Sequence, residues 1–515
     1  MIKKFLIPMG LFLIISPIFF LLYIYFPSND TGNRNKKEIS IEEGMEATKG
    51  DLKCKDCNLI MISLSNVSAK HMSLYGYERL TTPNFDKWAE NAIVFNNAFT
   101  QSSWTLPVAT SLFTSLYPFT HKIMNRFNEN ILDADIKTLP EILRDSGYRT
   151  AAFVGGLDYS YKFGHMRGFE YVDEAMDYNS AIEFAGFSYS LKKASDWLSQ
   201  NHGGKFFLFL HGYDCHCPFN PPEKFRGRFS HAEGKNITVD NKECLRGYEN
   251  SKNGNYEAYY YRGGQKKVVL TKDDIDYLED LYDEEILSLD ELIGNFLKSL
   301  NKSVLDKTII IIFSDHGEMF AKHGRFGRAG AVRGTMYNDV LRVPLIIRLP
   351  GQKGKRIKGL AQLIDVMPTV LRNLDIPVPS DAQGKDLVGL ITDDRPAHSY
   401  GFAGSRFGWF QRPASRKIYK YRSENEAVMT DEWKLIHEKR FTNEGKFLDD
   451  TYEFYNFNDD PDEMKNIFDK DAPKAKELKA VLEKWVMECY NFKVKSGSKV
   501  IPSEVAEEAK KRGYW

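Results

Sequence analysis

A run of five apolar residues, 309–313, lies between polar ends and is followed by Asp315, His316, Gly317 and Glu318. A short apolar run rich in β-branched residues is typical of a strand buried on both faces of a sheet. In an open α/β sheet, such a strand delivers its carboxyl end to the crevice where ligands bind. Similar runs predict further strands at residues 58–64, 148–154, 206–210 and 342–348.

Apolar residues at three- and four-residue steps predict helices between these strands. The longest pattern runs from about residue 271 to 300, and prolines predict the starts of shorter helices near residues 81–84 and at Pro107. Strands that alternate with helices predict an α/β fold with a mostly parallel central sheet sandwiched by helices. After about residue 394 the segments become shorter, which indicates a small C-terminal antiparallel sheet subdomain.

An uncharged, largely apolar stretch at residues 5–26 follows Lys3 and Lys4. It has about the twenty residues that cross a bilayer, whereas a cleaved signal peptide usually has a shorter apolar region and a small-residue cleavage site. The stretch therefore predicts an uncleaved signal anchor in the form of one transmembrane helix. The lysines ahead of it predict a single-pass protein of the cell membrane with its catalytic domain outside the cytoplasm.

These patterns divide the chain into five predicted parts. They are a transmembrane anchor (5–26), a flexible polar stalk (27–53), a catalytic domain (54–393) with an aperiodic insertion (226–270), a C-terminal subdomain (394–490) and a tail (491–515).

Charge and cysteine content narrow the partners and the compartment. The 515 residues include 70 basic and 70 acidic ones, so no net field favours nucleic acid as a partner. The six cysteines are compatible with disulfides in an oxidising compartment. Cys54 and Cys57 could instead form a redox pair or half of a zinc site, although no second cysteine pair has zinc spacing.

Reactive side chains follow several of the predicted strands, and one lies just ahead of a predicted helix start. They are Ser65, Asn66, Thr105, His211, His216, Asp315 and His316. The carboxyl ends of parallel strands meet at one edge of a sheet, so we expect these side chains to share a crevice. A hydroxyl near a helix N-terminus lies in positive potential, and a divalent cation beside it would lower its pKa and polarise a phosphoryl or sulfuryl oxygen. His216 could then protonate a leaving group.

Each of these residues also has a purely structural interpretation. A threonine at a helix start commonly caps the helix, a histidine is commonly a hydrogen-bonded structural residue, and Asp-His-Gly after a strand commonly forms a turn. The functional interpretation depends on their occurrence together.

Several segments resemble the sulfatases of the alkaline phosphatase superfamily, in the branch with a Trp-Thr-x-Pro segment. The matching segments are residues 74–77, 81–86, 104–118, 211–219, 314–318, 323–324, 337–344 and the tail from 503 to 514. The resemblance implies the alkaline phosphatase-like fold and hydrolysis of sulfuric or phosphoric esters. It also implies a divalent metal (Ca, Mg, Mn or Zn) and catalytic roles for the positions of Thr105, His211, His216 and His323. The implied metal positions are Ser65, Asn66, Asp315 and His316.

Two departures from the family pattern affect the metal and the nucleophile. Ser65 stands where the family has a metal-binding aspartate, which leaves Asp315 as the one carboxylate assigned to the ion. Because a hard divalent ion prefers several carboxylate oxygens, we expect weak binding. Thr105 stands where formylglycine sulfatases have cysteine or serine. Its β-carbon already bears a methyl group, so we expect no formylglycine.

Further departures remove cationic side chains. Ala109 stands in place of the family's arginine, and residues 155–156 are glycines where other sulfatases have a lysine. A histidine expected between residues 323 and 337 is also missing, and Arg328 or Arg333 is expected to bind the anion instead.

Three functions are compatible with this sequence. The first is a membrane-anchored hydrolase that uses Thr105 on a sulfate or phosphate ester of an extracytoplasmic glycan or lipid. The second is a transferase that moves a phosphoryl-linked head group through a phosphothreonine. The third is a catalytically inactive relative that binds an anionic glycan or a partner.

Overall fold

The computed structural model describes residues 52–124, 131–174, 185–231, 235–240, 244–250, 256–260, 267–324, 327, 335–407, 422–442 and 444–492. All of them belong to one compact unit, Thr48–Trp515. The predicted anchor (5–26), most of the stalk and tail, Arg328 and Arg333 lie outside the described residues. Within the described ranges, none of the helices combines the length and the apolar character needed to cross a membrane.

The described strands form three sheets. They are β1 (Asn58–Leu64), β2 (Ile93–Phe99), β3 (Arg149–Val154), β4 (Tyr171–Glu174), β5 (Phe206–Gly212), β6 (Leu245–Asn250), β7 (Tyr256–Tyr260), β8 (Lys267–Leu270), β9 (Thr308–Ser314), β10 (Leu345–Arg348), β11 (Lys355–Gln362), β12 (Gly401–Phe407), β13 (Arg422–Met429), β14 (Trp433–Phe441) and β15 (Phe447–Asn456).

The α-helices pack around these sheets. They are α1 (Pro83–Trp88), α2 (Thr105–Thr114), α3 (Pro118–His121), α4 (Leu139–Asp145), α5 (Phe187–Asn201), α6 (Lys272–Ser299), α7 (Lys302–Leu305), α8 (Asn338–Leu341), α9 (Val366–Asn373), α10 (Val388–Asp393) and α11 (Pro473–Asn491).

The central sheet has eight strands in the order β11-β2-β10-β9-β1-β5-β3-β4. In this described sheet β10 alone runs antiparallel to its neighbours, so the prediction of a mostly parallel sheet is confirmed. Leu59 and Met61 of β1 pack against one helical layer, whereas Ile60 and Ile62 pack against the other. The sheet is thus covered on both faces, which explains the continuous apolar runs of β1 and β9.

The remaining sheets are antiparallel. Strands β12 to β15 form the predicted C-terminal sheet, and α11 packs on it. The insertion, which shows no periodicity in the sequence, forms a small sheet of β6, β7 and β8. Helix α2 begins at Thr105, two residues before the predicted start at Pro107. A proline is tolerated there because backbone N–H groups in a first helical turn have no intrahelical acceptor.

A buried ion pair joins β14 to the loop that follows β15, and its lysine also contacts the segment that precedes α8. Lys434 Nζ lies 2.6 Å from Glu463 Oε1, and both side chains are fully buried. Lys434 Nζ also donates to the Met336 carbonyl oxygen at 2.9 Å. Burial lowers the pKa of Lys434 and raises that of Glu463, so each charge depends on its partner.

Replacing Lys434 by methionine should destabilise the fold by about 3 kcal/mol or more, because it leaves Glu463 buried without its counter-charge. The free energy of urea unfolding measures this cost. The double change Lys434→Met with Glu463→Gln should recover much of it. Lys476→Met, at an exposed lysine, is the matched control. A loss at Lys434 no greater than that control would contradict the prediction.

Candidate active site

Strand register brings the predicted residues to one edge of the central sheet. Ser63 of β1 lies beside His211 of β5 on one side and Phe313 of β9 on the other. The residues that follow β1 and β9 therefore emerge at the same level, at the carboxyl ends of parallel strands.

Asp315 joins the ends of β1 and β9. Its Oδ1 accepts the backbone N–H groups of Asn66, at 3.0 Å, and of His316, at 2.9 Å. Asp315, His316 and Asn66 are all fully buried. A side chain at Gly317 would place its Cβ 2.1 Å from the Asp339 carbonyl oxygen, so only glycine permits this close approach.

Thr105 turns its hydroxyl toward the end of β9. It is the first residue of α2, and Trp104 occupies the N-cap position. Thr105 Oγ1 lies 3.2 Å from His316 Nε2, and that nitrogen lies 3.6 Å from Asp315 Oδ2. The expected convergence of Thr105, Asp315 and His316 is therefore present in the structure.

The tautomer of His316 follows from its other ring nitrogen. Nδ1 lies 3.0 Å from the Gly317 carbonyl oxygen, so Nδ1 carries the hydrogen and donates it. Nε2 then presents a lone pair toward Thr105. That lone pair can accept the threonine hydrogen or bind a cation.

Asn66 and Ser65 supply further oxygen atoms. Asn66 has φ 65°, a left-handed conformation that asparagine adopts more readily than most residues. Its Oδ1 and Ser65 Oγ are buried, and neither has a hydrogen-bond partner among the described residues. Because buried polar atoms are normally paired, these two oxygens and Asp315 fit a small cation. The fit is modest because only one carboxylate is in the set.

Glu318 is a site residue that sequence reasoning missed. Its Oε2 accepts a hydrogen bond from Asn66 Nδ2 at 2.8 Å, and its side chain is almost fully buried. The signal was its place three residues after Asp315 in the segment 314–318. The pairing with Asn66, 252 positions away, has no sequence signal.

His211 is a neutral histidine at the end of β5. Burial lowers its pKa to about 4, although the nearby Asp315 carboxylate raises it in part. Neither ring nitrogen has a hydrogen-bond partner within the described part of the chain. The ring packs against Tyr159 and Tyr213, with centroids 4.5 and 4.8 Å away. His211 is therefore a neutral side chain at this edge.

His216 lies in the loop after β5, and His323 lies in the segment after β9. His216 is half-buried, and its Nδ1 donates to the Cys217 carbonyl oxygen at 2.7 Å. Cys217 is bonded to Cys244 in a disulfide that ties the insertion to this loop. His323 has φ 55° and stacks on Tyr337 with ring centroids 3.6 Å apart. The expected anion ligands Arg328 and Arg333 lie outside the described residues.

At two of the positions where the family has a cationic side chain, neighbouring residues of this chain occupy the space. Ala109 lies in the apolar core between α2 and the sheet. A Cβ on Gly156, which has φ +139°, would lie 1.9 Å from the Tyr213 ring. A lysine side chain there would displace that tyrosine.

The segment ahead of Thr105 is held by the C-terminal sheet. The Gly404 N–H of β12 donates to the Gln101 carbonyl oxygen at 2.9 Å. Ser405 Oγ hydrogen-bonds Ser102 Oγ and accepts the Ser103 N–H at 3.4 Å. The C-terminal sheet thus supports the start of α2.

Asp214 belongs to the scaffold of the site. Its Oδ2 accepts the Phe187 N–H at the start of α5, at 2.7 Å. Burial nevertheless raises the pKa of Asp214 from 3.8 to about 6. Its carboxylate is therefore engaged with a helix start.

The raised pKa predicts a pH-dependent stability. Folding favours protonated Asp214. The stability that this group contributes to the folded state is therefore fully present below about pH 4 and is lost as the pH rises through about 6. Asp214→Asn keeps an acceptor and should remove that loss, worth roughly 2 kcal/mol for this half-buried group. Urea unfolding of both proteins from about pH 4 to 7 measures the difference. Parallel pH profiles would contradict the assignment.

Comparison with known proteins places this architecture in a family. The sulfatase family model matches residues 57–376, and the model of the C-terminal region of N-sulphoglucosamine sulphohydrolase matches residues 327–491. An N-acetylglucosamine-6-O-sulfatase of Bacteroides thetaiotaomicron is 26% identical, over 83% of this chain and 85% of its own length.

Solved structures share the fold. BT4656 in complex with its substrate D-glucosamine-2-N,6-O-disulfate has a TM-score of 0.63 and 22% identity, over 86% of this chain and 100% of that one. The phosphonate monoester hydrolase of Agrobacterium radiobacter has a TM-score of 0.64 and 18% identity, over 84% of this chain and 95% of that one. Because the sulfatase model covers more than half of the 515 residues, the chain belongs to the sulfatase family.

Proposed function

We propose that this protein hydrolyses sulfuric or phosphoric esters, with Thr105 as the nucleophile. The observation that carries the proposal is the chain of contacts from Thr105 Oγ1 to His316 Nε2, at 3.2 Å, and from that nitrogen to Asp315 Oδ2, at 3.6 Å. This hydroxyl lies at a helix N-terminus beside a histidine nitrogen and a carboxylate that are both proposed ion ligands. An ion held there would lie next to the hydroxyl and could activate it as a nucleophile.

Members of the sulfatase family use divalent metal ions, and the donor atoms here fit one. Asp315, His316, Asn66 and Ser65 would hold it. Bound there, the ion would lower the pKa of the nearby hydroxyl and polarise an oxygen of the ester. Ca²⁺, Mg²⁺, Mn²⁺ and Zn²⁺ are all candidates, and one carboxylate predicts weak affinity.

Thr105 is proposed to form a covalent intermediate with the transferred group. The Thr105 hydroxyl releases its hydrogen to water as Oγ1 attacks the sulfur or phosphorus atom. The bond from that atom to the ester oxygen breaks, and the departing alcohol takes a proton. His216 is proposed to donate that proton. Neutral His211, together with His323, is proposed to hydrogen-bond the transferred group. Water then attacks the same sulfur or phosphorus atom and returns one proton to His216. The bond from that atom to Thr105 Oγ1 breaks and Oγ1 takes a proton from solvent, which releases the inorganic anion and restores both residues.

The proposed substrate is an anionic ester of a glycan or lipid. One structural relative was solved with a sulfated glucosamine as its substrate, and another is a phosphonate monoester hydrolase. Arg328 and Arg333 are proposed to bind the anion. Both lie between residues 323 and 337, where the family has a histidine that this chain lacks.

We also propose that residues 5–26 anchor the protein in the cell membrane with its catalytic domain outside the cytoplasm. The disulfides Cys54–Cys57 and Cys217–Cys244 support an oxidising compartment. Extraction of membranes at alkaline pH tests the anchor. Release of the protein into the supernatant would contradict it.

Hydrolysis itself is tested with the purified full-length protein. A sulfate monoester and a phosphate monoester of 4-nitrophenol are each incubated with Mn²⁺, Ca²⁺, Mg²⁺ or Zn²⁺, and with EDTA. We expect turnover of at least one ester with at least one ion, lost in EDTA. Failure of both esters with all four ions would favour a protein that only binds an anionic ligand.

Changing Ser65 to aspartate should tighten ion binding. The change adds a second carboxylate next to Asn66 and Asp315, where the family has one, and hard ions favour carboxylate oxygens. We expect the Mn²⁺ affinity in isothermal titration to rise by roughly tenfold or more. Ser65→Asn, which places a side chain of similar size at the same position and adds no charge, is the matched control. Equal affinities of the two variants would contradict the prediction.

A further inference from the structure

The side chain of Asn66 is held in one orientation. Its Nδ2 donates to the Cys215 carbonyl oxygen and to Glu318 Oε2, at 2.8 Å each. Both hydrogens on that nitrogen are therefore used by acceptors, and this assigns the nitrogen and the oxygen of the amide. Oδ1 is left as the atom that has no hydrogen-bond partner among the described residues.

Glu318 is itself fixed in place. Its Oε1 accepts the Met319 backbone N–H at 3.2 Å, and its side chain is 2% exposed. The carboxylate thus reaches Asn66 from the β9 end without freedom to swing away. A carboxylate that accepts from one end of an amide also makes the oxygen at the other end more negative.

From this geometry we propose that Glu318 is a positioning residue that orients Asn66 so that Oδ1 serves as an oxygen ligand for the divalent ion. The proposal rests on the proposed function, which supplies the ion. Glu318 would then provide, through one hydrogen bond, negative charge at a site where Ser65 has replaced a carboxylate. It would not contact the ion or the ester itself.

Two substitutions separate orientation from charge. Glu318→Gln keeps an oxygen that can accept from Asn66 Nδ2 and removes the charge, whereas Glu318→Ala removes both. Asp290→Asn is the matched control, since this buried carboxylate accepts from the backbone of Asn84 and Phe85 instead. Affinity for Mn²⁺ alone is measured by isothermal titration of the full-length proteins.

We expect Glu318→Ala to weaken Mn²⁺ binding by roughly 10- to 100-fold, the usual cost of losing a partner of a metal ligand. Glu318→Gln should lose less, and Asp290→Asn should bind as the unchanged protein does. In the Asn66→Ala background, Glu318→Ala should cause no further loss, because its effect passes through Asn66. A further loss of similar size in that background would overturn the proposal and make Glu318 a direct ligand.

Crystal structures of the unchanged protein and of both Glu318 variants provide the second measurement. We expect the Asn66 amide to leave its place in Glu318→Ala and to keep it in Glu318→Gln. An unmoved Asn66 in Glu318→Ala would overturn the positioning role. If the unchanged protein binds no Mn²⁺, the proposed function loses its ion, and the positioning role is still decided by these structures.

Discussion

Replacing Thr105 by valine is expected to lower kcat/KM for ester hydrolysis by roughly 10⁴-fold or more, the scale of loss when a nucleophile is removed. Valine keeps the β-branched shape, so α2 should start as before, but no oxygen then faces His316 Nε2, which is 3.2 Å from Thr105 Oγ1. Steady-state kinetics with the better of the two nitrophenyl esters measure the effect.

Two companion variants define what that loss means. Thr105→Ser restores a hydroxyl and should retain activity within roughly tenfold of the unchanged protein. Thr114→Val is the matched control, because Thr114 lies at the other end of α2 and its hydroxyl donates to the Thr110 carbonyl oxygen. Activity of Thr105→Val equal to that of the control would remove Thr105 from the chemistry.

Replacing Asp315 by asparagine is expected to abolish ion binding at concentrations that saturate the unchanged protein and to lower hydrolysis by roughly 10³-fold. Asparagine has nearly the same shape but no charge, and its oxygen can still accept the backbone N–H groups of Asn66 and His316. The fold should therefore survive while the one carboxylate among the proposed ligands is lost.

Equilibrium dialysis against Mn²⁺ measures the binding half of this prediction. Thermal unfolding in EDTA confirms that both proteins are folded. Asp365→Asn is the control, because Asp365 is an equally buried carboxylate that pairs with His398 at 2.8 Å. Undiminished Mn²⁺ binding by Asp315→Asn would place the ion elsewhere.

Strands that are buried on both faces of the sheet could be predicted from the sequence. Strands β1 and β9 are covered on both faces, so they appear as unbroken apolar runs. Strand β2 carries Asn96 and Asn97, and β11 at the sheet edge carries several charged residues. Neither β2 nor β11 has an unbroken apolar run, so the sequence pattern did not predict them as strands. The direction of β10 was also beyond prediction, because an apolar run carries no information about strand direction.

The buried polar contacts could not be predicted for a different reason. The apolar stripe of α6 predicted a helix, but its buried acids Asp283, Glu284 and Asp290 were not expected to face inward. Asp283 accepts from His71 and Arg79, and Glu284 accepts the Ser230 N–H. Such pairs depend on loops distant in the sequence, as does the contact between Glu318 and Asn66. The local pattern of apolar residues carries no information about either kind of contact.

The candidate site was predictable in part because strand ends converge by topology. The sequence predicted that Thr105, Asp315 and His316 lie at one sheet edge. The register of β1 and β9 accounts for Asp315 and His316, whereas Thr105 reaches them from the start of α2. The orientation of each ring and amide was not predictable, since it depends on the Gly317 and Cys215 carbonyl oxygens.

The central claim is that Thr105 forms a covalent bond with the transferred group. Its most direct test is to mix the protein with ester and Mn²⁺, quench in acid within one turnover, and analyse the peptide that contains Thr105 by mass spectrometry. We predict that this peptide gains the mass of one phosphoryl or sulfuryl group, located on Thr105 by fragmentation. Consumption of the ester with Thr105 unmodified at every quench time would contradict the account.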